Sequence, residues 1–202
     1  MSKEHWDKSF SGKDYVYGKT ENEFINLMSN IIPEGSKVGC FAEGEGRNAV
    51  YLAKIGHDVT AYDQSTVGLS KTKNLASQNN VDVNTVEIDL TVEKVKPHQY
   101  DAVVMVFGHV PKKDQLFFLE NMIASLKPGG YMIFEVYSEA QLMYKTGGPG
   151  SIERLYDPEN ILNWIKNYKC IHFYYGEVER NEGKRHVGLS HVIQVAIQKQ
   201  MK

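Results

Sequence analysis

One stretch of the sequence, residues 38–63, constrains the fold more than any other. It begins with a short apolar run, continues through a loop that contains Gly44 and Gly46, and then carries a helical pattern up to Gly56. A second apolar run follows and ends on the carboxylate of Asp63. Strand, glycine-rich loop, helix and second strand in this order form the first half of a nucleotide-binding β-α-β unit.

The glycines of this loop suit close contact with a ligand. Because glycine lacks a Cβ, the backbone at Gly44 and Gly46 can turn sharply, and the following helix presents unpaired N–H groups. Asp63 lies nineteen residues after Gly44, about the spacing that brings a carboxylate to a ribose diol. We therefore predict an adenosine-containing cofactor. A second G-x-G, at Gly148 and Gly150, lacks strand and helix patterns beside it, so we predict no cofactor loop there.

Length and charge argue against several classes of function. The chain has 202 residues, of which 42% are hydrophobic, enough for one buried core and too few for two enzyme domains. Lysine and arginine number 23 against 25 acidic residues, and the net charge of −2 gives no indication of nucleic-acid binding. The longest apolar run is far below the roughly 20 residues that span a bilayer, and the charged N-terminus lacks a signal-peptide core. We expect a cytoplasmic, single-domain protein with neither nucleic-acid nor membrane partners.

The two cysteines, Cys40 and Cys170, both lie in strand-like segments and are far apart in sequence. We expect buried free thiols, because a cytoplasmic protein seldom forms disulfides. Two isolated cysteines also make no zinc site, so no metal is predicted.

The hydrophobic pattern predicts alternating helices and strands. A capping-box pattern at residues 20–23 precedes a first helix that stops at Pro33. The further predicted elements are a helix over 65–79, strands over 82–88 and 100–107, a helix over 115–126, a strand over 131–136, a helix over 157–167, and strands over 169–179 and 184–199 joined by a turn at 180–183. This order indicates an open, mostly parallel sheet covered on both faces, followed by an antiparallel hairpin.

Two kinds of cofactor compete for the glycine loop. Residues 44–49 also satisfy G-x-G-x-x-A, the dinucleotide fingerprint, so an NAD-dependent oxidoreductase is an alternative. A dinucleotide fold needs a second β-α-β half, whereas here the parallel part ends at the fifth strand. The chain also lacks a lysine–tyrosine arrangement for hydride chemistry. A ligand with one nucleoside and a short charged tail fits better.

Four segments carry a family resemblance, namely residues 42–53, 59–65, 89–90 and 126–130. They resemble the class I S-adenosylmethionine-dependent methyltransferases, and among these the small tellurite-resistance-type bacterial enzymes. The resemblance implies an α/β fold: a Rossmann-like, seven-stranded, mostly parallel sheet with helices on both faces and a C-terminal antiparallel hairpin. It covers nearly the whole chain as one domain, with a lid segment and helix (1–35), a cofactor-binding core (36–137), and an acceptor loop, helix and hairpin (138–202).

The glycine loop departs from the family at two positions. The family usually has an acidic residue at the end of the first strand and a glycine two positions later, where this chain has Cys40 and Ala42. A carboxylate there supports the methionine end of the cofactor. Either Glu43 takes over part of that role or the cofactor binds more weakly.

The resemblance implies S-adenosylmethionine as cofactor and assigns residues to it. Asp63 would accept both ribose hydroxyls, with capping of the next helix as its alternative role, and Asp89 would meet the adenine amino group. Tyr17 would fold over the cofactor as a lid or pack in the core. The predicted cofactor-binding residues are Tyr17, Ala42, Glu43, Gly44, Glu45, Gly46, Asn48, Asp63, Gln64, Asp89, Leu90 and Phe107. Arg47 is interpreted as structural.

Methyl transfer requires little from side chains, because the sulfonium is an activated donor and alignment in a dry pocket accelerates displacement. His109 is the candidate catalytic residue, as a contact or base for the acceptor. By position, the candidate acceptor residues are Tyr144, Gly147, Gly148, Arg180 and His186. The predicted function is methyl transfer to a small-molecule acceptor, such as a metalloid oxyanion or a thiol. The alternatives are an NAD-dependent oxidoreductase and a non-catalytic S-adenosylmethionine-binding module.

Overall fold

The computed structural model of the protein describes residues 2–201. Within them, seven strands form a single sheet in the order β3-β2-β1-β4-β5-β7-β6. The strands are β1 (Lys37–Phe41), β2 (Asp58–Asp63), β3 (Asn84–Glu87), β4 (Tyr100–Val106), β5 (Leu126–Tyr137), β6 (Lys169–Glu182) and β7 (His186–Gln198). The first five run parallel, and β7 is antiparallel to both β5 and β6. The predicted fold class is confirmed.

Helices cover both faces of this sheet. They are α1 (Lys3–Phe10), α2 (Glu23–Met28), α3 (Arg47–Lys54), α4 (Thr66–Gln78), α5 (Lys112–Ser125) and α6 (Pro158–Ile165), with short 3₁₀ helices at Ser29–Ile31, Glu139–Met143 and Ile152–Arg154. Alternate residues of the strands belong to two core clusters: Val104 packs with α2 and α3, whereas Met105 packs with α5 and α6. This alternation is what a strand buried on both faces requires. None of these helices in residues 2–201 is long and apolar enough to cross a membrane.

The order of the sheet places a crevice at the carboxyl ends of β1 and β4. The chain leaves β1 through α3 to β2 on one side, whereas β4 lies on the other side. At such a switch point the connecting helices lie on opposite faces, so the two loops separate and leave room for a ligand.

Several local predictions near the chain ends are wrong. Asn22, rather than the first residue of the predicted capping box, caps α2 by accepting the N–H groups of Phe24 and Ile25. The sequence reading did not predict α1 as a helix. Cys40 is buried as expected, but Cys170 is exposed because β6 is an edge strand.

The hairpin turn also lies three residues later than predicted. β6 continues to Glu182 and β7 starts at His186, so that Arg180 pairs with Gly188 inside the ladder. Gly183 supplies the positive φ of +63° that the turn needs. From the local sequence, Arg180 and Glu182 are predicted to be polar turn residues. In the structure both side chains are buried, and they form ion pairs with distant parts of the chain.

Candidate functional site

The loops at the carboxyl ends of the parallel strands enclose a cavity of about 780 Å³. Residues of α1 and of the hairpin turn close its other sides. Every predicted cofactor-binding residue lines this cavity, as do His109, Gly147, Gly148 and His186. The cavity therefore brings together residues from the beginning, middle and end of the chain.

The glycine loop is held in a conformation that few residues adopt. Gly44 and Gly46 have φ of +64° and +92°, and Ala42, where the family has glycine, has φ of +51°. An alanine in this region costs on the order of 1 kcal/mol, a strain that is often found at functional sites. Gly46 is the N-cap of α3, and it has no side chain that could accept the free N–H groups in the first turn of the helix. The Glu43 carboxylate does so instead, with Oε1 accepting from the N–H groups of Asn48 and Ala49 at 2.9 Å each.

Asp63 both shapes the loop and faces the cavity. Its Oδ2 accepts the Gly44 N–H and its Oδ1 accepts the Ser65 N–H, each at 2.8 Å. Ser65, and not Asp63, is the N-cap of α4, and each oxygen of Asp63 keeps a lone pair for a ligand hydroxyl. Burial raises the pKa of Asp63 to about 6, against the opposing effect of these two N–H groups. Burial likewise raises the pKa of Glu43 to about 7, and the Asp63 charge adds to this effect.

The two residues predicted to border the adenine, Asp89 and Leu90, lie in the loop after β3. The Asp89 Oδ1 accepts from the backbone N–H and the hydroxyl of Thr91, at 2.9 and 2.6 Å, which closes a tight turn. Leu90 is buried beside it. Gln64 follows β2 and lines the same part of the cavity.

A lid, which we define as α1 together with residues 11–18, covers the cavity. The rings of Trp6 and Phe10 stack at 5.4 Å and line the cavity from α1. Asp7 accepts from the Ser65 hydroxyl at 2.6 Å, which fastens α1 to the start of α4. Tyr17 lies against the His186 ring at 4.7 Å.

Glu45 and Asn48 line the cavity but also hold neighbouring segments in place. Glu45 accepts the Val16 N–H at 2.7 Å and pairs with Lys71 at 2.6 Å, so it fastens the lid to the glycine loop. Asn48 Oδ1 accepts the Asn22 N–H at 2.9 Å. The two side chains therefore connect the glycine loop and α3 to the lid and to the start of α2.

The geometry assigns His109 a structural role. Its Nδ1 lies 2.9 Å from the Arg154 carbonyl, and its Nε2 lies 3.3 Å from the Tyr137 N–H. A carbonyl can only accept and an N–H can only donate, so Nδ1 carries the proton and Nε2 is the acceptor. Burial lowers the pKa of His109 to about 4. Neither nitrogen is free to take a proton from an acceptor, so we do not retain the general-base role.

Aromatic rings and glycines form the far end of the cavity. Phe107, with φ of +55°, stacks on Tyr137 at 4.3 Å, and the His186 ring meets Phe107 edge-on at 4.5 Å. A Cβ on Gly148 would lie 2.7 Å from the Tyr137 ring, so this position needs glycine. Burial, together with Arg47 nearby, lowers the pKa of His186 to about 3. Its ring is therefore neutral, and its buried Nδ1 has no hydrogen-bond partner within residues 2–201.

Two of the predicted acceptor residues lie away from the cavity in the described part of the chain. The Tyr144 hydroxyl donates to Glu177 at 2.6 Å on the surface. Arg180 is 2% exposed and forms ion pairs with Glu135 and Glu23. The prediction for Arg180 followed from a turn position that the structure corrects, whereas Tyr144 was predicted from the loop after β5 and its hydroxyl points to Glu177 instead.

The sequence reading missed several lining residues, which are His5, Trp6, Phe10, Arg47, Phe118, Lys145 and Arg185. Trp6 and Phe10 are four residues apart, which is the spacing of one helical face and the signal that could have identified α1 as part of the site. The described chain contains no group of three or more histidine, cysteine or acidic side chains that could hold a metal ion.

Comparison with known proteins gives three findings. Residues 38–130 match the family model described as a methyltransferase domain. The ubiquinone biosynthesis O-methyltransferase of Rickettsia akari is 30% identical over 155 residues, which are 75% of this chain and 55% of that protein. The probable S-adenosyl-L-methionine-dependent methyltransferase TehB of Haemophilus influenzae is 27% identical over 127 residues, which are 61% of this chain and 43% of that protein.

The fold agrees with these sequence matches. The crystal structure of TehB from Haemophilus influenzae superposes with a TM-score of 0.74 at 16% identity, covering 98% of this chain and 67% of that chain. This chain spans about half the length of the curated relatives it matches. The cofactor of such domains is S-adenosylmethionine, which confirms the cofactor prediction. By sequence and by fold, this chain is similar to the class I S-adenosylmethionine-dependent methyltransferases, TehB among them, which confirms the resemblance carried by its sequence.

Proposed function

We propose that this protein transfers the methyl group of S-adenosylmethionine to a small-molecule acceptor by in-line displacement. The observation that carries the proposal is the two-ended cavity. One end is acidic and loop-lined, and it contains Glu43, Asp63 and Asp89, whereas the other end is aromatic and contains Phe107 and His186. Carboxylates suit a cofactor that has a sulfonium, an ammonium and a ribose diol.

In this proposal each part of the site has a distinct task. Asp63 accepts the ribose hydroxyls, Asp89 and Leu90 border the adenine, and the backbone of residues 42–46 runs beside the methionine end. The bound cofactor supplies an activated methyl group. The lid excludes water, since Trp6 and Phe10 cover the cavity from α1, and alignment in a dry site accelerates the displacement.

The acceptor is proposed to be small and already nucleophilic, as a metalloid oxyanion or a thiolate is. Lys145 and Arg185 line the cavity near Gly147 and His186, and their positive charge favours an anionic acceptor. Because both nitrogens of His109 are engaged by the backbone, an acceptor that needs a general base is less suited to this site. We also propose that the protein acts in the cytoplasm as one domain, to which the segments 1–35, 36–137 and 138–202 each contribute part of the cavity.

Calorimetric titration with S-adenosylmethionine, S-adenosylhomocysteine and NAD tests the cofactor side. Asp63→Asn should weaken S-adenosylhomocysteine binding by about 1.5 to 3 kcal/mol, the range for a hydrogen bond to a charged group. Thermal unfolding is measured alongside, because Asp63 also accepts two backbone N–H groups. Asp58→Asn, at the exposed start of the same strand, is the matched control and should bind as wild type does. Binding of NAD alone would overturn the assignment.

Transfer of a radiolabelled methyl group tests the chemistry. Wild-type protein is assayed with selenite, tellurite, small thiols and a phenol, and we expect product with at least one of the ionised acceptors. A protein that binds S-adenosylmethionine tightly and methylates nothing in a broad panel would instead be a non-catalytic binding module.

A further inference from the structure

The two edge strands of the sheet differ in length and in protection. β3, at one end, has four residues, and Lys3 of α1 pairs with its last residue, Glu87, at 3.1 Å. β6, at the other end, has 14 residues, and within residues 2–201 it pairs with β7 alone. Natural proteins keep edge strands short or charged, because an open edge accepts a further strand. β3 follows this rule, whereas β6 is a long edge.

The backbone on the outer side of β6 is open. Alternate N–H and C=O groups of an edge strand point away from its one partner strand. In the described chain, only β7 forms backbone hydrogen bonds with residues 170–181. The Tyr174 hydroxyl donates to the Glu177 carbonyl at 2.7 Å, which leaves that oxygen a second lone pair. A bulge between Cys170 and His172 bends the start of the strand, so the regular edge begins at residue 172.

The side chains in the middle of this edge are apolar and exposed. Ile171, Tyr174 and Tyr175 are 39%, 38% and 48% exposed. Aromatic and β-branched residues stabilise strands mainly by packing against neighbours on the next strand. Tyr174 and Tyr175 are consecutive in a strand, so their rings lie on opposite faces of the sheet. A strand added to β6 would therefore cover apolar area on both faces.

The charged residues of this edge are separated by sign. Lys166 and Lys169 lie at its beginning, and Glu177 and Glu179 lie near its end; all four are exposed. The side chains of Lys166, Lys169 and Glu179 have no hydrogen-bond or ion-pair partner within residues 2–201. In antiparallel pairing about a two-fold axis, the basic beginning of each copy meets the acidic end of the other. The edge is therefore complementary to itself.

We propose that β6 is the interface of a homodimer, in which the β6 strands of two copies pair antiparallel and join the two sheets into one. The occupant is a second copy because the order of charges along the edge matches its own reverse. Pairing satisfies the outer N–H and C=O groups and covers both tyrosine rings. None of residues 169–182 lines the cavity, so the inference is independent of the proposed function.

Sedimentation velocity over a series of protein concentrations tests the proposal. We expect wild-type protein to be a dimer at about 100 µM and to dissociate on dilution. Tyr175→Lys places like charges near the centre of the pairing and should raise the dimer dissociation constant about 10-fold or more. Val86→Lys, on the other edge strand, is the matched control, because Val86 is 38% exposed. It should dimerise as wild type does, and thermal unfolding of each variant confirms that it is folded.

Two charge-reversed variants test the complementarity. Lys166→Glu/Lys169→Glu makes both ends of the edge acidic, and Glu177→Lys/Glu179→Lys makes both ends basic. At low salt, each variant alone should be a monomer at the concentration at which wild type is a dimer, and an equimolar mixture of the two should dimerise. Mixing would not restore dimers that had been lost through unfolding.

Wild-type protein that stays monomeric at about 500 µM would overturn the proposal and leave the edge to another occupant, such as an extended peptide. A dimer that is insensitive to Tyr175→Lys, or that Val86→Lys weakens equally, would also overturn it, because the interface would lie elsewhere. A mixture of the charge-reversed variants that remains monomeric would refute the antiparallel arrangement.

Discussion

At the scale of single residues, the two ends of the cavity contain groups that are unfavourable in the free protein. Glu43 and Asp63 are carboxylates in a buried loop, and burial raises the pKa of each. Ala42 and Phe107 have φ of +51° and +55°. Each of these features raises the free energy of the free protein. A cationic ligand that stabilises the buried carboxylates offsets part of this cost, so its binding is favoured.

Glu43→Gln should therefore stabilise the free protein in a pH-dependent way. The pKa of Glu43 is raised to about 7, so its favourable contribution is complete below the ordinary value and is lost as the pH rises through 7. A neutral glutamine keeps an oxygen for the N–H groups of Asn48 and Ala49 but avoids the buried charge. We expect the free energy of unfolding to increase by about 2 kcal/mol at pH 8 and to stay nearly unchanged at pH 4.

Urea unfolding at both pH values measures this effect, with Glu34→Gln as the control at an exposed position. Equal stability of Glu43→Gln and wild type at pH 8 would contradict the assignment of a buried charge. In wild type, affinity for S-adenosylmethionine should rise between pH 6 and pH 8, because ionised Glu43 attracts the ammonium and the sulfonium.

At the scale of elements, the lid is fastened to the hairpin turn by backbone contacts. The Lys184 N–H donates to the Val16 carbonyl at 3.1 Å, and the chain at Tyr17 and Gly18 passes directly against Gly183. A Cβ at Gly183 would lie 2.4 Å from the Tyr17 carbonyl carbon. The turn and the lid can approach this closely because residue 183 is glycine.

Gly183→Ala should thus detach the lid without unfolding the core. The added methyl group displaces residues 17–18, and we expect a cost of about 1 to 3 kcal/mol from overpacking and about tenfold faster tryptic cleavage within the lid. Gly35→Ala is the matched control, because Gly35 has a similar φ of +66° but nothing within 4 Å of a Cβ. Equal cleavage of the two variants would show that backbone strain alone, and not contact with the lid, sets the effect.

At the scale of the whole molecule, a buried ionic network joins parts of the chain that are far apart in sequence. Glu135 of β5 accepts from the side chains of Arg180 and Gln194, and from Asn22 at 3.0 Å. Arg180 is 2% exposed and Glu135 is fully buried. Forming such a network costs desolvation free energy. Removing one partner costs more, because it leaves the other charge buried and uncompensated.

Arg180→Met should destabilise the protein by about 3 to 5 kcal/mol, because it leaves the Glu135 carboxylate buried without a cation. Lys127→Met removes a half-exposed partner of Asp101 and should cost less than about 1 kcal/mol. Chemical denaturation of both variants measures the difference. If Arg180→Met were as stable as Lys127→Met, the network would not contribute to the fold.

The parts of the site that could be predicted from the sequence lie close together in the chain. Gly44, Gly46 and Asp63 follow from a strand, a turn and a helix start within 26 residues, and local backbone chemistry decides each of them. The parallel sheet follows from similar short-range patterns. Those same residues predicted an adenosine-containing cofactor, and the family resemblance implied that it is S-adenosylmethionine.

Only the tertiary structure decided the other side of the cavity. Arg47 and Glu182 are 135 residues apart, and the burial that makes Arg180 a core residue rather than a turn residue comes from Glu135 on another strand. Whether Tyr144 or Arg180 faces a ligand depends on the register in which β6 pairs with β7. That register is set by long-range strand pairing and by the buried ion pairs, and neither can be read from the local sequence. Local sequence patterns determine whether a segment forms a helix, a strand or a turn. The burial of ion pairs between distant segments determines which side chains face the cavity and which lie in the core.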